Sequence, residues 1–324
     1  MSATLAVIER LYQSAFERVD NFDEENNRLI SLSSLLNVAC SNSCFDTVFT
    51  LLERGANVNE RVHENLTPLH QVANSISNNS CRIGEILLKN GADVTCKVRF
   101  GCTALRFAVR SGNIALVKML IAHGSAVAVD LDDYGSTLLH ATSTISGNTS
   151  SSIVMHLVNH GALLEARDRN GRTALHLACS VGNKMICLLL IRLGSDVNAK
   201  TCDGWSSLYW AVCIGNFEIV KVLIESKANP NEKTKNGETL LYSCLSSLSW
   251  PHMAKILLEN GADINARNGF ESKHFLIPHH PYPYKPNPYN LSLISRLNCT
   301  SQSYSSEKCI NGRVFGCSRI RVTC

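Results

Sequence analysis

Short stretches of apolar residues at helical spacing alternate with polar turns along most of this chain. In one such stretch Leu175, Leu177 and Ala178 fall on one face of a helix, because an α-helix turns once every 3.6 residues. Thr173 precedes them, and threonine is favoured as an N-cap because its hydroxyl accepts a backbone N–H bond. Gly182 follows as part of a Gly-Asn turn. The pattern predicts a short helix that begins after Thr173 and ends before Gly182.

The next stretch is more apolar and reads MICLLLIRL from Met185. It predicts a second, more apolar helix. Gly194 then supplies the left-handed residue that commonly ends a helix. The polar run VNAKTCDGW, from Val197 to Trp205, has the turn residues of an exposed hairpin. Together the two stretches predict a unit of two helices and a hairpin.

This unit recurs about every 33 residues, as two independent landmarks indicate. The first is the turn after the second helix, at Gly55, Gly91, Gly124, Gly161, Gly194 and Gly261. Lys227 stands in the same place, where we expect a strained left-handed residue at a cost of about 1 kcal/mol. The second landmark is the hydroxyl residue that opens the first helix, at Ser34, Thr67, Thr103, Thr137, Thr173, Ser206 and Thr239. Because both landmarks keep one spacing, the sequence predicts seven stacked repeats.

The repeated residues resemble the ankyrin repeat, whose pattern is G-x-TPLH-x-A followed by G-x-x-x-V-x-x-LL-x-x-GA-x-x-N. The unit NGRTALHLACSVGNKMICLLLIRLGSDVN, from Asn170 to Asn198, follows that pattern almost throughout. The resemblance covers residues 33–269 and implies an all-α ankyrin-repeat solenoid of stacked helix–turn–helix units with β-hairpin loops. Extra Ser- and Asn-rich residues in repeats two and four are expected to lengthen surface loops.

Two segments flank the repeats. Residues 1–32 carry an apolar stripe that predicts an N-terminal amphipathic capping helix or, as the alternative, a separate partner-binding helix. The stripe consists of Leu5, Ile8, Leu11, Tyr12, Ala15, Phe16 and Val19. Residues 270–324 begin Pro- and Tyr-rich and continue with Ser, Cys and Arg. We expect this tail to be largely disordered, because proline prevents a regular helix or central strand; a polyproline-type ligand is the alternative.

Composition narrows the function classes. The chain has 324 residues, and its 45% of hydrophobic residues is enough for a packed core. The net charge of +4 is too small for a dedicated nucleic-acid binder. No apolar run reaches the roughly 20 residues that span a bilayer, and the N-terminus has no signal-peptide pattern. We therefore expect a cytoplasmic protein, with the nucleus left open, that binds neither nucleic acid nor membrane.

The reactive side chains form no catalytic or metal-binding pattern. The 14 cysteines include no C-x-x-C pair, and several fall inside apolar helices, so we interpret them as reduced core residues. One position of the repeat holds His70, His140 and His176, but Arg106, Tyr209 and Tyr242 in other repeats. An imidazole at that position is expected to hydrogen-bond the neighbouring turn. The sequence therefore predicts no enzyme, no cofactor and no metal site.

The hairpin tips are the expected binding surface for a protein partner, because the resemblance implies that variable tip residues make most partner contacts. Those residues are Arg61, His63, Lys97, Arg99, Phe100, Asp133, Tyr134, Arg167, Arg169, Lys200, Asp203, Trp205, Lys233 and Lys235. Phe100, Tyr134 and Trp205 are expected on one edge, outside the packing between repeats. Basic residues dominate, so an acidic protein segment is the expected partner. The function that follows is a non-catalytic protein–protein interaction scaffold or adaptor.

A second function class is the substrate-recognition subunit of a cullin-type ubiquitin ligase. The layout of an N-terminal helix, irregular repeats and a short C-terminal segment resembles the ankyrin-repeat and SOCS-box family. That family's adaptor helix needs a Leu followed four residues later by Cys, and then a Pro-rich motif. Here Leu293 is followed by Leu297, and the prolines lie upstream. A ubiquitin-ligase adaptor as partner is therefore unsupported by a motif.

Overall fold

The computed structural model describes most of the repeat-bearing part of the chain. The described residues are 32–62, 65–77, 79–145, 147, 149–244 and 250–266. The expected N-terminal capping helix and the C-terminal tail lie outside these residues, and so does His63 of the expected binding surface.

Fourteen α-helices lie in the described residues, and they follow one another as seven pairs. The first members of the pairs are α1 (Leu32–Ser41), α3 (Pro68–Asn74), α5 (Ala104–Arg110), α7 (Leu138–Ser143), α9 (Ala174–Ser180), α11 (Ser207–Ile214) and α13 (Leu240–Ser243). The second members are α2 (Phe45–Glu53), α4 (Ser80–Lys89), α6 (Ile114–Ala122), α8 (Thr149–Asn159), α10 (Lys184–Arg192), α12 (Phe217–Glu225) and α14 (Trp250–Glu259). None of these helices is long and apolar enough to cross a membrane.

The pairs stack in one direction, because the first helices contact one another in sequence order and the second helices form a second row. Extended backbone occurs only as hairpin fragments in the described part of the chain. Strands β1 (Lys97–Val98) and β2 (Cys102–Thr103) pair antiparallel, with Val98 opposite Cys102. Single bridges occupy the equivalent places at Val62, Lys200 and Lys233. The expected all-α repeat solenoid with hairpin loops is confirmed.

Hydroxyl and amide side chains begin the helices, as the repeat pattern predicts. The Thr103 hydroxyl accepts the backbone N–H of Arg106 at 3.2 Å, where α5 begins. The Asn183 side chain accepts the N–H of Ile186 at 3.3 Å, where α10 begins. The first repeat differs, because α1 starts at Leu32 and contains the residue expected as its cap, Ser34.

The left-handed residue after each second helix is also present where the pattern predicts it. Gly194 has φ +97° and is exposed. Lys227 takes the same place with φ +70°, and its N–H bonds to the carbonyl of Ile224 at 2.9 Å. The lysine therefore keeps the helix-ending bond and accepts the left-handed strain that glycine avoids.

One continuous apolar core runs through the stack. Leucines from both rows, such as Leu105, Leu139 and Leu190, are almost completely buried. Cys40 and Cys179 are buried among them, and burial raises the pKa of both thiols. These cysteines act as small apolar core residues, as predicted.

Candidate protein-interaction surface

The hairpin tips of successive repeats are tied together by backbone hydrogen bonds. In each bond the donor is the backbone N–H of the residue two positions before a hairpin glycine. The acceptor is the carbonyl of the residue just before the hairpin glycine of the preceding repeat. The bonds are Asp133 to Phe100 (3.0 Å), Arg169 to Tyr134 (3.0 Å), Cys202 to Asn170 (2.9 Å) and Lys235 to Asp203 (3.2 Å). The tips therefore form a row with a defined spacing.

Glycine is required in this row because adjacent tips approach very closely. Gly171 has φ +73°, and a Cβ on it would lie 2.7 Å from the backbone nitrogen of Cys202. Any larger residue would push the two tips apart and break the hydrogen bond between Asn170 and Cys202.

A column of basic residues runs beside the tips, four residues before Gly101, Gly171, Gly204 and Gly237, whereas Leu131 stands at this place before Gly135. Lys97 donates from Nζ to the carbonyl of Leu131 at 2.8 Å, one repeat further on. Arg167 donates from Nη1 to the carbonyl of Lys200 at 2.5 Å, and Lys200 donates to that of Lys233 at 3.0 Å. These side chains are exposed. They thus serve the stacking of repeats and at the same time place positive charge on the surface.

Two exposed aromatic rings meet at the tips of the second and third hairpins. Phe100 is 47% exposed and Tyr134 is 59% exposed. Their ring centroids are 6.3 Å apart with an interplanar angle of 26°. The Arg99 guanidinium lies 4.8 Å from the centroid of the Phe100 ring, a cation–π distance. We call Arg99, Phe100 and Tyr134 the tip cluster.

The turn that presents Tyr134 is held by an aspartate. One carboxylate oxygen of Asp132 accepts the backbone N–H groups of Tyr134 at 2.9 Å and Ser136 at 2.8 Å. Asp133, beside it, is exposed. The aromatic ring of Tyr134 is therefore placed by a defined turn, which lowers the entropy that a partner must remove on binding.

Trp205 does not join the tip cluster, and the prediction that it stands outside the packing between repeats is wrong. Phe100 and Tyr134 precede the hairpin glycine, whereas Trp205 follows Gly204. Its ring stacks on Tyr209 at 5.6 Å and meets Trp210 edge-on at 5.2 Å. Trp205 is half-buried and packs against the core. The glycine turn reverses the chain, so residues on its two sides face different surroundings.

The other residues expected at the partner surface are exposed where the structure describes them. This set comprises Arg61, Lys97, Arg99, Asp133, Arg167, Arg169, Lys200, Asp203, Lys233 and Lys235. Arg61 donates to the sulfur of Cys96 at 3.2 Å. Exposure makes these side chains accessible to a partner, and their role in binding stays a prediction.

Two histidines of the repeat position, His140 and His176, hydrogen-bond the neighbouring turn, as expected. In His176, Nδ1 accepts the backbone N–H of Thr173 at 3.1 Å, and Nε2 donates to the carbonyl of Ala199 at 3.0 Å. His140 makes the same bonds to Thr137 and to the carbonyl of Arg172. Both ring nitrogens are used in the neutral form, so a second proton would break a bond.

Burial of these histidines makes stability depend on pH. Burial lowers the pKa of His70 and His176 from 6.5 to about 4, and it lowers the pKa of His140. As the pH falls, these histidines take up protons in the unfolded chain before they do so in the folded chain. Their contribution to the free energy of unfolding is therefore fully present above pH 6.5 and is lost toward pH 4. We expect urea unfolding to show a loss on the order of 3 kcal/mol for each of His70 and His176.

The control compares the native chain with His176→Gln and with His123→Gln, an exposed histidine. His176→Gln should make the pH dependence between 6.5 and 4 shallower, and His123→Gln should leave it unchanged. Burial raises the pKa values of Glu232 and Glu238. Their effect on the pH dependence of stability has the opposite sign, but it is the same in all three chains and cancels in the comparison. Equal slopes in all three chains would contradict the assignment.

A buried ion pair replaces the histidine in the third repeat. Arg106 Nη2 lies 3.0 Å from the Asp130 carboxylate and 2.9 Å from the Asp130 carbonyl. Nη1 reaches Asp132 at 3.4 Å, and Thr103 donates its hydroxyl to Asp130. Sequence reasoning noted Arg106 but missed this partner. The sequence did contain a signal for this pair. Asp130 occupies the repeat position that Ala199 occupies next to His176 in a histidine-containing junction.

The repeat-bearing part of the chain is similar to known proteins. The family profile described as ankyrin repeats (3 copies) matches four overlapping segments, residues 35–130, 69–148, 127–201 and 184–268. The ankyrin repeat protein FPV031 of fowlpox virus is 34% identical over 166 residues, which cover 49% of this chain and 47% of that protein. The ankyrin repeat protein YahD of Escherichia coli is 30% identical over 176 residues, covering 53% of this chain and 83% of that protein.

A solved structure agrees with the fold. The crystal structure of the human ASB11 ankyrin repeat domain has a TM-score of 0.61 and 22% sequence identity, and it covers 70% of this chain and 98% of that one. At this identity the likeness shows the fold alone. The match spans about half the length of the fowlpox protein, so the activity of any whole relative does not transfer to this chain.

Proposed function

This chain belongs to the ankyrin-repeat family, a family of generic and typically non-catalytic protein–protein interaction modules, and from that premise we propose that it is an adaptor that binds a protein segment across its hairpin tips. The tip cluster supports this proposal most directly. A stacked aromatic pair at the surface, with a guanidinium over one ring, is the composition of binding hot spots. A solvated tip has no need of two large apolar rings.

Charge suggests the chemistry of the partner. Exposed Arg99, Arg169 and Lys235 extend along the row of tips, and the basic column runs beside them. Asp133 and Asp203 are the acidic residues of the expected partner surface, and both are exposed. We therefore propose a partner segment that combines acidic residues with an apolar or aromatic side chain. The charges set orientation and association rate, and the apolar contact contributes most of the affinity.

Phe100→Ala combined with Tyr134→Ala should weaken partner binding by about 2 kcal/mol or more, which is roughly 30-fold. The unfolding midpoint should stay close to that of the native chain, because both rings are largely exposed. Affinity capture with the full chain identifies the partners, and titration of one purified partner measures the loss.

Ile76→Ala is the matched control, since Ile76 is 82% exposed but lies in the loop between α3 and α4, away from the tips. It should keep both the partners and their affinity. Full binding by the double variant, or equal losses in the double variant and the control, would move recognition away from the tip cluster.

The substrate-recognition subunit of a cullin-type ubiquitin ligase is the second candidate function. It is favoured by the layout of the chain and by likeness in fold to the human ASB11 ankyrin repeat domain. Leu293 and Leu297, on which the motif comparison depends, lie outside the described residues. Recovery of ubiquitin-ligase adaptors with the full chain, and not with residues 1–270, would favour this candidate over a plain adaptor.

A further inference from the structure

Two histidines meet on the second helix of the fourth repeat, in the row opposite to the first helices. His156 lies in α8, and His160 follows one turn later, just past the helix end. Their ring centroids are 4.2 Å apart, and the ring planes are tilted by 45°. His160 is exposed and His156 is half-buried. Neither side chain belongs to the hairpin tips or to the structural histidine position.

Hydrogen bonding assigns the tautomer of His160. Its Nδ1 lies 2.8 Å from the carbonyl oxygen of His156. A carbonyl only accepts, so Nδ1 carries the proton and Nε2 presents a lone pair. Histidines that bind metal ions commonly donate their other ring N–H to a carbonyl in this way, which orients the ring.

The second ring offers a nitrogen that no described residue uses. Nε2 of His156 is buried and has no hydrogen-bond partner among the described residues. Burial lowers the pKa of His156, and the charge of Lys118 lowers it further.

We propose that His156 and His160 form a two-imidazole site for a divalent transition-metal ion of the Zn²⁺, Ni²⁺ and Cu²⁺ class. Paired histidines four residues apart on one helix face supply two ligands to a single ion. Imidazole selects these borderline ions over Mg²⁺ and Ca²⁺, which prefer oxygen. No group of three or more His, Cys, Asp or Glu side chains suited to a metal ion occurs in the described part of the chain. Water or a group from a bound partner therefore completes the coordination.

The positive charge of Lys118 disfavours a cation bound at this site. Lys118 lies on α6, in the preceding repeat, close enough for its charge to act on His156. Removing this charge stabilises a bound cation without touching either ligand. Lys118→Ala should therefore tighten metal binding, which a merely structural histidine pair does not predict.

The preceding repeat provides an internal control. His123 there has Nδ1 2.9 Å from the carbonyl of Met119, so it repeats the geometry of His160. Met119 stands where His156 stands in the fourth repeat. The third repeat therefore has one half of the site. Met119→His should create a second two-imidazole site.

Calorimetric titration of the full chain with Ni²⁺ at pH 7.5 tests the proposal; Ni²⁺ avoids the oxidation of thiols by Cu²⁺. His156→Ala and His160→Ala should each weaken the site by more than about tenfold, because the second ligand of a chelate binds intramolecularly. His123→Ala should bind like the native chain, and Met119→His should take up one further equivalent. Metal bound elsewhere in the full chain is common to all variants.

Paramagnetic broadening by Ni²⁺ gives the location directly. The ring proton signals assigned to His156 and His160 should broaden together at substoichiometric Ni²⁺, and those of His176 should not. Unchanged affinity in His160→Ala, a variant at an exposed side chain that the fold tolerates, would overturn the proposal. So would broadening confined to other histidines.

Discussion

Asp130→Ala should lower the free energy of unfolding by about 3 to 5 kcal/mol, although it removes a single carboxyl group. The Asp130 carboxylate lies 3.0 Å from the Arg106 guanidinium, and both side chains are 3% exposed. Among the described residues, the buried cation without Asp130 keeps backbone carbonyls and the more distant Asp132 carboxylate at 3.4 Å. A buried charge that loses its close counter-ion retains its desolvation cost, which is why the loss is large.

Arg106→His added to Asp130→Ala should recover most of that stability. The double variant copies a junction that the chain already uses, where His176 donates to the carbonyl of Ala199. The recovery follows because the neutral imidazole needs no counter-ion, and alanine fits where the carboxylate was. Arg106→His alone should also destabilise, since it leaves the Asp130 carboxylate buried without its cation.

Urea unfolding of the native chain, both single variants and the double variant gives the coupling energy as a double-mutant cycle. Lys184→Ala serves as the control. Lys184 also pairs across repeats, with Glu218 at 2.6 Å, but both side chains are exposed. Its loss should leave the unfolding midpoint almost unchanged. Equal destabilisation by Asp130→Ala and by the double variant would contradict the assigned pairing.

Leu175→Ala should cost about 2 to 5 kcal/mol through lost burial and the cavity that remains. Leu175 lies in α9 and is 1% exposed within the continuous core. A repeat contacts only its neighbours, so a cavity here also weakens the interfaces of the fifth repeat with the fourth and sixth. Unfolding followed by the helical circular dichroism signal should show the midpoint shift.

Leu163→Ala makes the same chemical change at a side chain that is 64% exposed. It should leave the midpoint nearly unchanged, because little burial is lost. Comparable shifts for Leu163→Ala and Leu175→Ala would mean that Leu175 does not pack as the structure places it.

Most of the fold follows from local sequence pattern. The cap at Thr103, the left-handed end at Lys227 and the histidine bonds of His176 all lie where the repeat spacing predicts them. Each depends on side chains and backbone within one repeat or at its junction with the next. Such features can be predicted because helix caps, helix-ending residues and turns obey rules of short range.

The candidate site was predicted less well. Exposure of Phe100 and Tyr134 agrees with the expectation, and the structure adds that their rings stack. Trp205 turned out to pack on Tyr209 and the core. Counting residues along the repeat placed all three on one edge, but it ignored which side of the hairpin glycine each one occupies.

The amino-acid sequence alone therefore specifies the repeat, its caps and its turns, because the physical causes lie within a few residues of one another. Tertiary structure decides which side chains meet across repeats. Arg106 and Asp130 are 24 residues apart, and Phe100 and Tyr134 are 34 apart. Their contacts depend on how far one hairpin is displaced from the next, and that displacement is set by close packing of glycine backbone and buried leucines from several repeats at once.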